Sequence, residues 1–164
     1  MQSIKNIKAV FFSPTGNTKQ VIEFIADRLA QKLSVPVEVD DFTLPAAHAD
    51  TRTYSSEDLV IFGVPTYAGR IPNKVLPFVQ NLFKGNETRA VAVVTFGNRS
   101  FDNSLSELHS ELEKNNFSVV AAGAVVCKHA FAEVGIGRPN AADNEQLSAF
   151  ADEVFEKLQQ SGGS

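Results

Sequence analysis

The chain has 164 residues, 43% of them hydrophobic, and a formal net charge of −4 at pH 7. This length fits one domain with a sizeable buried core, and the mild acidity argues against a nucleic-acid partner, which would need a basic surface. The single cysteine, Cys127, excludes an internal disulfide, so a reducing cytoplasm is the expected compartment.

Short apolar runs alternate along the chain with segments of helical period. The runs are rich in β-branched and aromatic residues, which favours strands, and the other segments carry apolar side chains three or four residues apart, which favours helices. In chain order, the predicted elements are a strand at 7–12, a helix at 17–33, an edge strand at 35–42, a polar irregular stretch at 43–57, a strand at 58–65, a helix at 75–83, a strand at 90–97, a helix at 104–116, a strand at 117–126 and a helix at 143–159.

Prolines and polar residues help to place the ends of these elements. Pro36 supports an edge position for the second strand. Pro72 or Pro77 falls in or near the first turn of the second helix, where proline is tolerated, although Pro77 could instead kink that helix. Ser104 and Glu107 have the spacing of a capping box at the start of the third helix.

The alternation predicts an α/β fold, a three-layer, doubly wound, five-stranded parallel sheet with helices on both faces. Such sheets bind ligands at the carboxyl ends of their strands, near the point where the strand order reverses. We therefore expect functional residues in the segments 13–18, 65–73, 95–104 and 127–138. The predicted domain spans 1–160, and 161–164 is a flexible tail.

The turn FFSPTGNTKQ, at positions 11–20, joins the first strand to the first helix. A helix N-terminus offers unpaired N–H groups to an anion, and Gly16 lets a ligand approach the backbone closely. The added side-chain donors are Ser13, Thr15, Asn17 and Thr18. Neutral donors alone suit one phosphate monoester, and the absence of GK[ST] and G-x-G-x-x-G disfavours ATP, GTP and dinucleotides. A polar turn with a good helix cap is the alternative interpretation.

Four segments carry a resemblance to a known family. SPTGNT resembles the phosphate loop of flavodoxins, which holds the 5′-phosphate of FMN. The segments VPTYAGRIPN (64–73), FGNRSFDNSLSEL (96–108) and KHAFAEVGIGRPNAADNEQLSAF (128–150) resemble the flavodoxin-like module of flavodoxin–ferredoxin fusion proteins of anaerobic bacteria and archaea. The resemblance implies the strand order 2-1-3-4-5 and FMN as the cofactor. No cysteine-rich ferredoxin segment follows position 160, so we expect a stand-alone relative or a module separated from its ferredoxin part.

An isoalloxazine ring needs stacking side chains and backbone groups at its polar rim. Tyr67 is expected to stack on one face and Phe101 on the other, with Phe96 less favoured. The resemblance places Ala68 or Gly69 in the peptide that flips to accept a hydrogen bond from the reduced ring. The complete set expected to bind the cofactor is Ser13, Thr15, Gly16, Asn17, Thr18, Pro65, Thr66, Tyr67, Ala68, Gly69, Arg70, Thr95, Phe96, Gly97, Asn98, Arg99, Phe101, Asp102 and His129.

The sequence pattern does not support a redox, metal-binding or catalytic role for several residues that could be considered for one. Cys127 is more plausibly a small buried side chain than a redox group, because no second cysteine or metal-spaced histidine accompanies it. His129 follows the fifth strand and could serve either structure or flavin contact. A hydrolase would need G-x-S-x-G, and a receiver domain would need acids where Phe12 and Ser13 stand. No catalytic residue and no metal site are therefore predicted.

The sequence thus predicts an FMN-binding electron carrier. Expected partners are ferredoxins, iron–sulfur oxidoreductases or a reductase; no run of about 18 apolar residues suggests a membrane span, and we expect a monomer. The alternative is an FMN-dependent NAD(P)H reductase of quinones or other small acceptors, with Arg70, Arg99 or Arg138 attracting a dinucleotide phosphate. A third interpretation is a flavin-free interaction module.

Charge in the loops leads to one further expectation. Segment 65–73 carries Arg70 and no acid, and segment 95–104 carries Arg99 against Asp102. Segment 127–138 carries Lys128, His129 and Arg138 against Glu133. If these loops converge, a positive local field would raise the second one-electron potential of the flavin. The alternative is that the arginines pair with neighbouring acids or point to solvent.

Overall fold

The computed structural model describes residues 3–67, 69–97, 103–127 and 141–162. The strands in these ranges are β1 (Asn6–Phe11), β2 (Val37–Asp41), β3 (Arg52–Thr53), β4 (Asp58–Pro65), β5 (Phe83–Lys84), β6 (Thr88–Phe96) and β7 (Phe117–Val126). The helices are α1 (Asn17–Leu33), α2 (Leu76–Leu82), α3 (Ser104–Lys114) and α4 (Ala141–Gly162), with a 3₁₀ helix at Pro45–His48.

Five strands form a parallel sheet in the order β2-β1-β4-β6-β7. These are the five predicted strands, so the predicted α/β fold and its strand order 2-1-3-4-5 are confirmed. The short strands β3 and β5 pair with each other in a separate two-stranded sheet. That pair was not predicted, because two residues are too few to leave a periodic pattern.

Each face of the sheet buries its own apolar cluster. Helices α1 and α4 cover one face, where they enclose Ile7 and Ile61, and helices α2 and α3 cover the other, where they enclose Val10 and Phe62. Successive strand residues point to opposite faces, and every residue of β4 except Pro65 is buried. After Asp58, β4 carries no polar side chain, as expected for a central strand of a parallel sheet covered on both sides.

Gly63 allows α1 to cross β4 at close range. A Cβ at this position would lie 2.4 Å from Ile22 Cγ1 and 3.0 Å from Thr18 Cγ2, well inside normal contact. Only glycine leaves the helix room to pack here, and the packing fixes the height at which α1 begins above the end of β1.

Three predicted details of the helix ends can be compared with the structure. The predicted capping box is wrong, because Asn103 is the N-cap of α3 and Ser104 is its first helical residue; within the described ranges the N-cap residue makes no side-chain capping hydrogen bond. Pro77 lies in the first turn of α2, as predicted. α4 continues to Gly162, two residues into the segment predicted as a tail. Within the described ranges, no helix is both long and apolar enough to cross a membrane.

Candidate functional site

The carboxyl ends of β1, β4 and β6 lie side by side at one edge of the sheet. The chain passes from β1 to β2 on one side, whereas β4 lies on the other, so the strand order reverses between β1 and β4. Ligands of doubly wound sheets bind in the crevice outside such a reversal. The turns after these three strands, which the sequence singled out, therefore meet at one place.

The turn between β1 and α1 presents unpaired donors. Gly16 is the N-cap of α1 with φ +89°, and no atom of the described residues lies within 4 Å of where its Cβ would be. Ser13 Oγ accepts a hydrogen bond from Lys19 N at 2.9 Å, so it caps the third N–H of the helix. Three backbone N–H groups of the turn have no partner among the described residues: those of Thr15, Asn17 and Thr18. Such a set, at the positive end of the helix dipole, suits an anion.

The side chains of this turn point to different environments. Thr15 is exposed, whereas Asn17 Oδ1 is buried without a hydrogen-bond partner in the described part of the chain. Thr18 is 2% exposed, and its hydroxyl lies 2.9 Å from that of Thr95, with either oxygen able to donate. Two predicted cofactor ligands are thus each other's partner, and the Thr18 proton is available to a ligand only when Thr95 donates.

The segment after β4 forms a tight hairpin. Tyr67 and Arg70 exchange two backbone hydrogen bonds of 2.9 and 3.1 Å, and Gly69 adopts φ +78°, which suits glycine. The Gly69 carbonyl accepts from Asn103 N at 2.9 Å. Tyr67 is 52% exposed at this hairpin, so its ring is accessible to a planar ligand.

Arg70 is not a free cation. Its Nη2 lies 2.6 Å from Glu107 Oε2, and Glu107 Oε1 accepts from Ile71 N at 3.1 Å. Burial by itself raises the pKa of Glu107, but the hydrogen bonds from Arg70 and Ile71, together with the Arg70 charge, outweigh it and lower that pKa below its ordinary value. The expectation of a positive field from Arg70 is therefore wrong, since a carboxylate offsets its charge.

The end of β6 contributes polar groups and open backbone. Thr66 N donates to Thr95 O at 2.8 Å, and the Thr66 hydroxyl lies 2.8 Å from that of Ser104. Phe96 is half-buried and Pro65 lies at the end of β4. Gly97 is exposed, and no described atom lies within 4 Å of where its Cβ would be. Six predicted site residues lie outside the described residues: Ala68, Asn98, Arg99, Phe101, Asp102 and His129.

Sequence reasoning missed residues that shape these turns from a distance. Thr43 Oγ accepts from Ser13 N at 2.8 Å, and Asp41 Oδ1 in turn accepts hydrogen bonds from Thr43. Asn103 and Glu107 likewise hold the hairpin. The D-x-T spacing after β2 was a weak signal for a local turn, but nothing local indicated its contact with Ser13.

Residues 9–129 match the flavodoxin domain family. The chain belongs to this family. The solved flavodoxin of Streptococcus pneumoniae superposes with a TM-score of 0.64 at 23% identity, covering 93% of this chain and 99% of that one. Flavodoxin 2 from Bacillus cereus gives 0.63 at 17% identity, with coverage of 93% and 99%.

The flavodiiron core of Flv1 from Synechocystis superposes with a TM-score of 0.63 at 18% identity, covering 97% of this chain but 37% of the other. At these identities the likeness of the solved structures supports a common fold. The predicted membership of the flavodoxin family is confirmed by the sequence match.

Proposed function

We propose that this flavodoxin-domain protein binds FMN and transfers single electrons between redox partners. The observation that carries the proposal is the set of three N–H groups of Thr15, Asn17 and Thr18 at the start of α1, which have no partner among the described residues. They lie beside Gly16, which has no side chain to obstruct a ligand. A phosphate monoester would take these donors, together with the Ser13 hydroxyl proton, whose oxygen already accepts from Lys19 N.

The remaining polar and aromatic groups fit the rest of the cofactor. The buried Asn17 Oδ1 without a described partner would accept from a ribityl hydroxyl, since an unmatched buried acceptor costs about 1–3 kcal/mol. The exposed Tyr67 ring would stack on the isoalloxazine, and the open backbone at Gly97 would face its rim. We propose, as the sequence predicts, that Phe101 stacks on the other face of the ring and that Asn98 also binds the cofactor.

When bound, the flavin supplies the electron storage, and the protein supplies affinity, orientation and electrostatics. The Gly69 carbonyl already accepts a hydrogen bond from Asn103 N. This favours the Ala68 carbonyl over that of Gly69 as the group that would accept a hydrogen bond from the reduced ring. The Arg70–Glu107 pair adds little net charge, so a strongly positive site is not part of the proposal.

The carrier is preferred to the NAD(P)H reductase. Arg70, one of the three arginines that would attract a dinucleotide phosphate, is already engaged by Glu107. We further propose that the chain is related to the flavodoxin-like modules of flavodoxin–ferredoxin fusions, that ferredoxins or iron–sulfur oxidoreductases are the partners, and that the protein works as a cytoplasmic monomer.

Titration of the apoprotein tests the proposal. We expect a yellow purified protein with one flavin per chain, FMN affinity at least about tenfold above that for riboflavin because of charge-assisted bonds to the phosphate, and weak binding of FAD. Photoreduction should proceed in two resolved one-electron steps, with slow bleaching by NADPH. Equal affinity for FMN and riboflavin would contradict the phosphate site, and rapid bleaching by NADPH would favour the reductase.

A further inference from the structure

The phosphate turn is braced by side chains of the neighbouring strand end. Ser13 N donates to Thr43 Oγ at 2.8 Å, and Thr43 in turn donates to Asp41 Oδ1 through both its hydroxyl and its N–H, the latter at 3.0 Å. We propose that Thr43 and Asp41, here named the β2 brace, are positioning residues that determine which groups of the turn donate to a phosphate. The inference rests on the proposed function.

The brace replaces one step of the regular β1–β2 ladder. Phe11 and Asp41 are the last paired residues, and Phe42 N donates to Phe11 O at 2.9 Å. The next bond of a parallel ladder would join Ser13 N to the Phe42 carbonyl. Instead, that carbonyl is bonded to His48 Nε2 at 2.7 Å, and the Thr43 hydroxyl takes Ser13 N. The chain can therefore leave the strand plane and turn toward α1 without leaving Ser13 N unpaired.

The directions of the hydrogen bonds follow from the carboxylate. Asp41 can only accept, so the Thr43 hydroxyl gives its proton to Asp41 and must accept from Ser13 N. Ser13 N is thereby withdrawn from any anion. Ser13 Oγ accepts from Lys19 N, which leaves the Ser13 hydroxyl proton for the ligand. With the β2 brace in place, Ser13 can donate to a phosphate through its hydroxyl but not through its backbone N–H.

Affinities for FMN and riboflavin separate this role from a general structural one, because only FMN carries the phosphate. We expect Thr43→Val to lower FMN affinity by roughly 2- to 12-fold, the range for one lost hydrogen bond, with riboflavin affinity unchanged. Asp41→Ala should act in the same direction, and Thr43→Ser should keep the wild-type ratio. The matched control is Thr53→Val, at an exposed threonine of β3. An unchanged FMN-to-riboflavin ratio in Thr43→Val overturns the brace, whereas a wild-type ratio near one overturns the phosphate site itself.

Amide hydrogen exchange of the wild-type apoprotein gives a second readout that needs no variant. We expect the amides of Ser13 and Lys19 to be protected without ligand, and those of Thr15, Asn17 and Thr18 to become protected only when FMN is added. Rapid exchange of the Ser13 amide in the apoprotein would overturn the brace even if FMN binds tightly.

Discussion

Glu107 shows how one carboxylate can shape a ligand site from a neighbouring helix. It reaches from the first turn of α3 to Arg70 and to the N–H of Ile71, which is 2% exposed. We expect the bond to the Ile71 N–H to contribute more to stability than the ion pair, because solvent screens the exposed Arg70 side chain. The hairpin that presents Tyr67 is thus fixed by a residue that the sequence assigned to helix capping.

Replacing Glu107 by glutamine should destabilise the protein in a pH-dependent way. Glutamine can still accept from Ile71 N but without charge, and we expect a loss of about 1 kcal/mol near pH 7. Because the pKa of folded Glu107 lies below its ordinary value of 4.5, the stabilisation is complete above that value and is lost as pH falls through the folded pKa.

Urea unfolding of the wild type and Glu107→Gln across pH 3–7 measures this difference, with Glu156→Gln on the exposed side of α4 as the control. A stability difference that does not change with pH would show that the carboxylate charge contributes nothing.

Among the secondary-structure elements, the packing of α1 on β4 determines where the candidate site lies. Gly63 brings Ile22 and Thr18 against the strand, and Thr18 then reaches Thr95 on β6 at 2.9 Å. One helix therefore links the phosphate turn to two strands, so a small displacement of α1 would alter its N-terminal donors and this hydroxyl pair together.

Gly63→Ala should force that displacement. The new Cβ would meet Ile22 Cγ1, and we expect about 1–3 kcal/mol of destabilisation from overpacking, with weaker FMN binding. Adding Ile22→Ala removes the clashing atoms, so the double variant should be more stable than the sum of the two single changes predicts. Thermal unfolding of the wild type, the two single variants and the double variant gives the coupling energy. Additive effects would show that the destabilisation does not come from a clash with Ile22. Gly97→Ala, with no described atom near its Cβ, serves as the tolerant control for thermal unfolding of the apoprotein.

The sequence revealed those elements whose signal is local. The β-branched runs predicted all five strands of the main sheet, and SPTGNT predicted a turn with free donors before α1. The partners of these groups depend on the register that sets Phe11 beside Asp41, which brings Thr43 to Ser13 across thirty positions of the chain. The Arg70–Glu107 pair depends in the same way on how β4 and β6 align, which no single-segment pattern contains.

At the scale of the whole molecule, one sheet separates two apolar clusters that share its central strands. Loss of either helical layer would expose residues of β1, β4 and β6 from one face, so neither cluster can persist without the other. Such an arrangement favours cooperative unfolding of the described fold.

The apoprotein should accordingly unfold in one transition, and FMN should shift it by mass action. At free FMN about 100 times its dissociation constant, we expect a stabilisation of about 2.7 kcal/mol. Far-UV circular dichroism and flavin fluorescence, followed together during urea unfolding of the holoprotein, should give coincident curves. Release of flavin before loss of secondary structure would show instead that the switch-point edge opens independently of the sheet.

The exposed Tyr67 also gives the protein an unusually simple optical signature. The chain has no tryptophan and two tyrosines, and the other one, Tyr54, is 9% exposed in the core, where burial raises its pKa. Ultraviolet emission therefore comes from one phenol inside the core and one beside the proposed ring site. Energy passed from Tyr67 to a nearby chromophore would dim that second source, so occupancy of the crevice can be followed without any label.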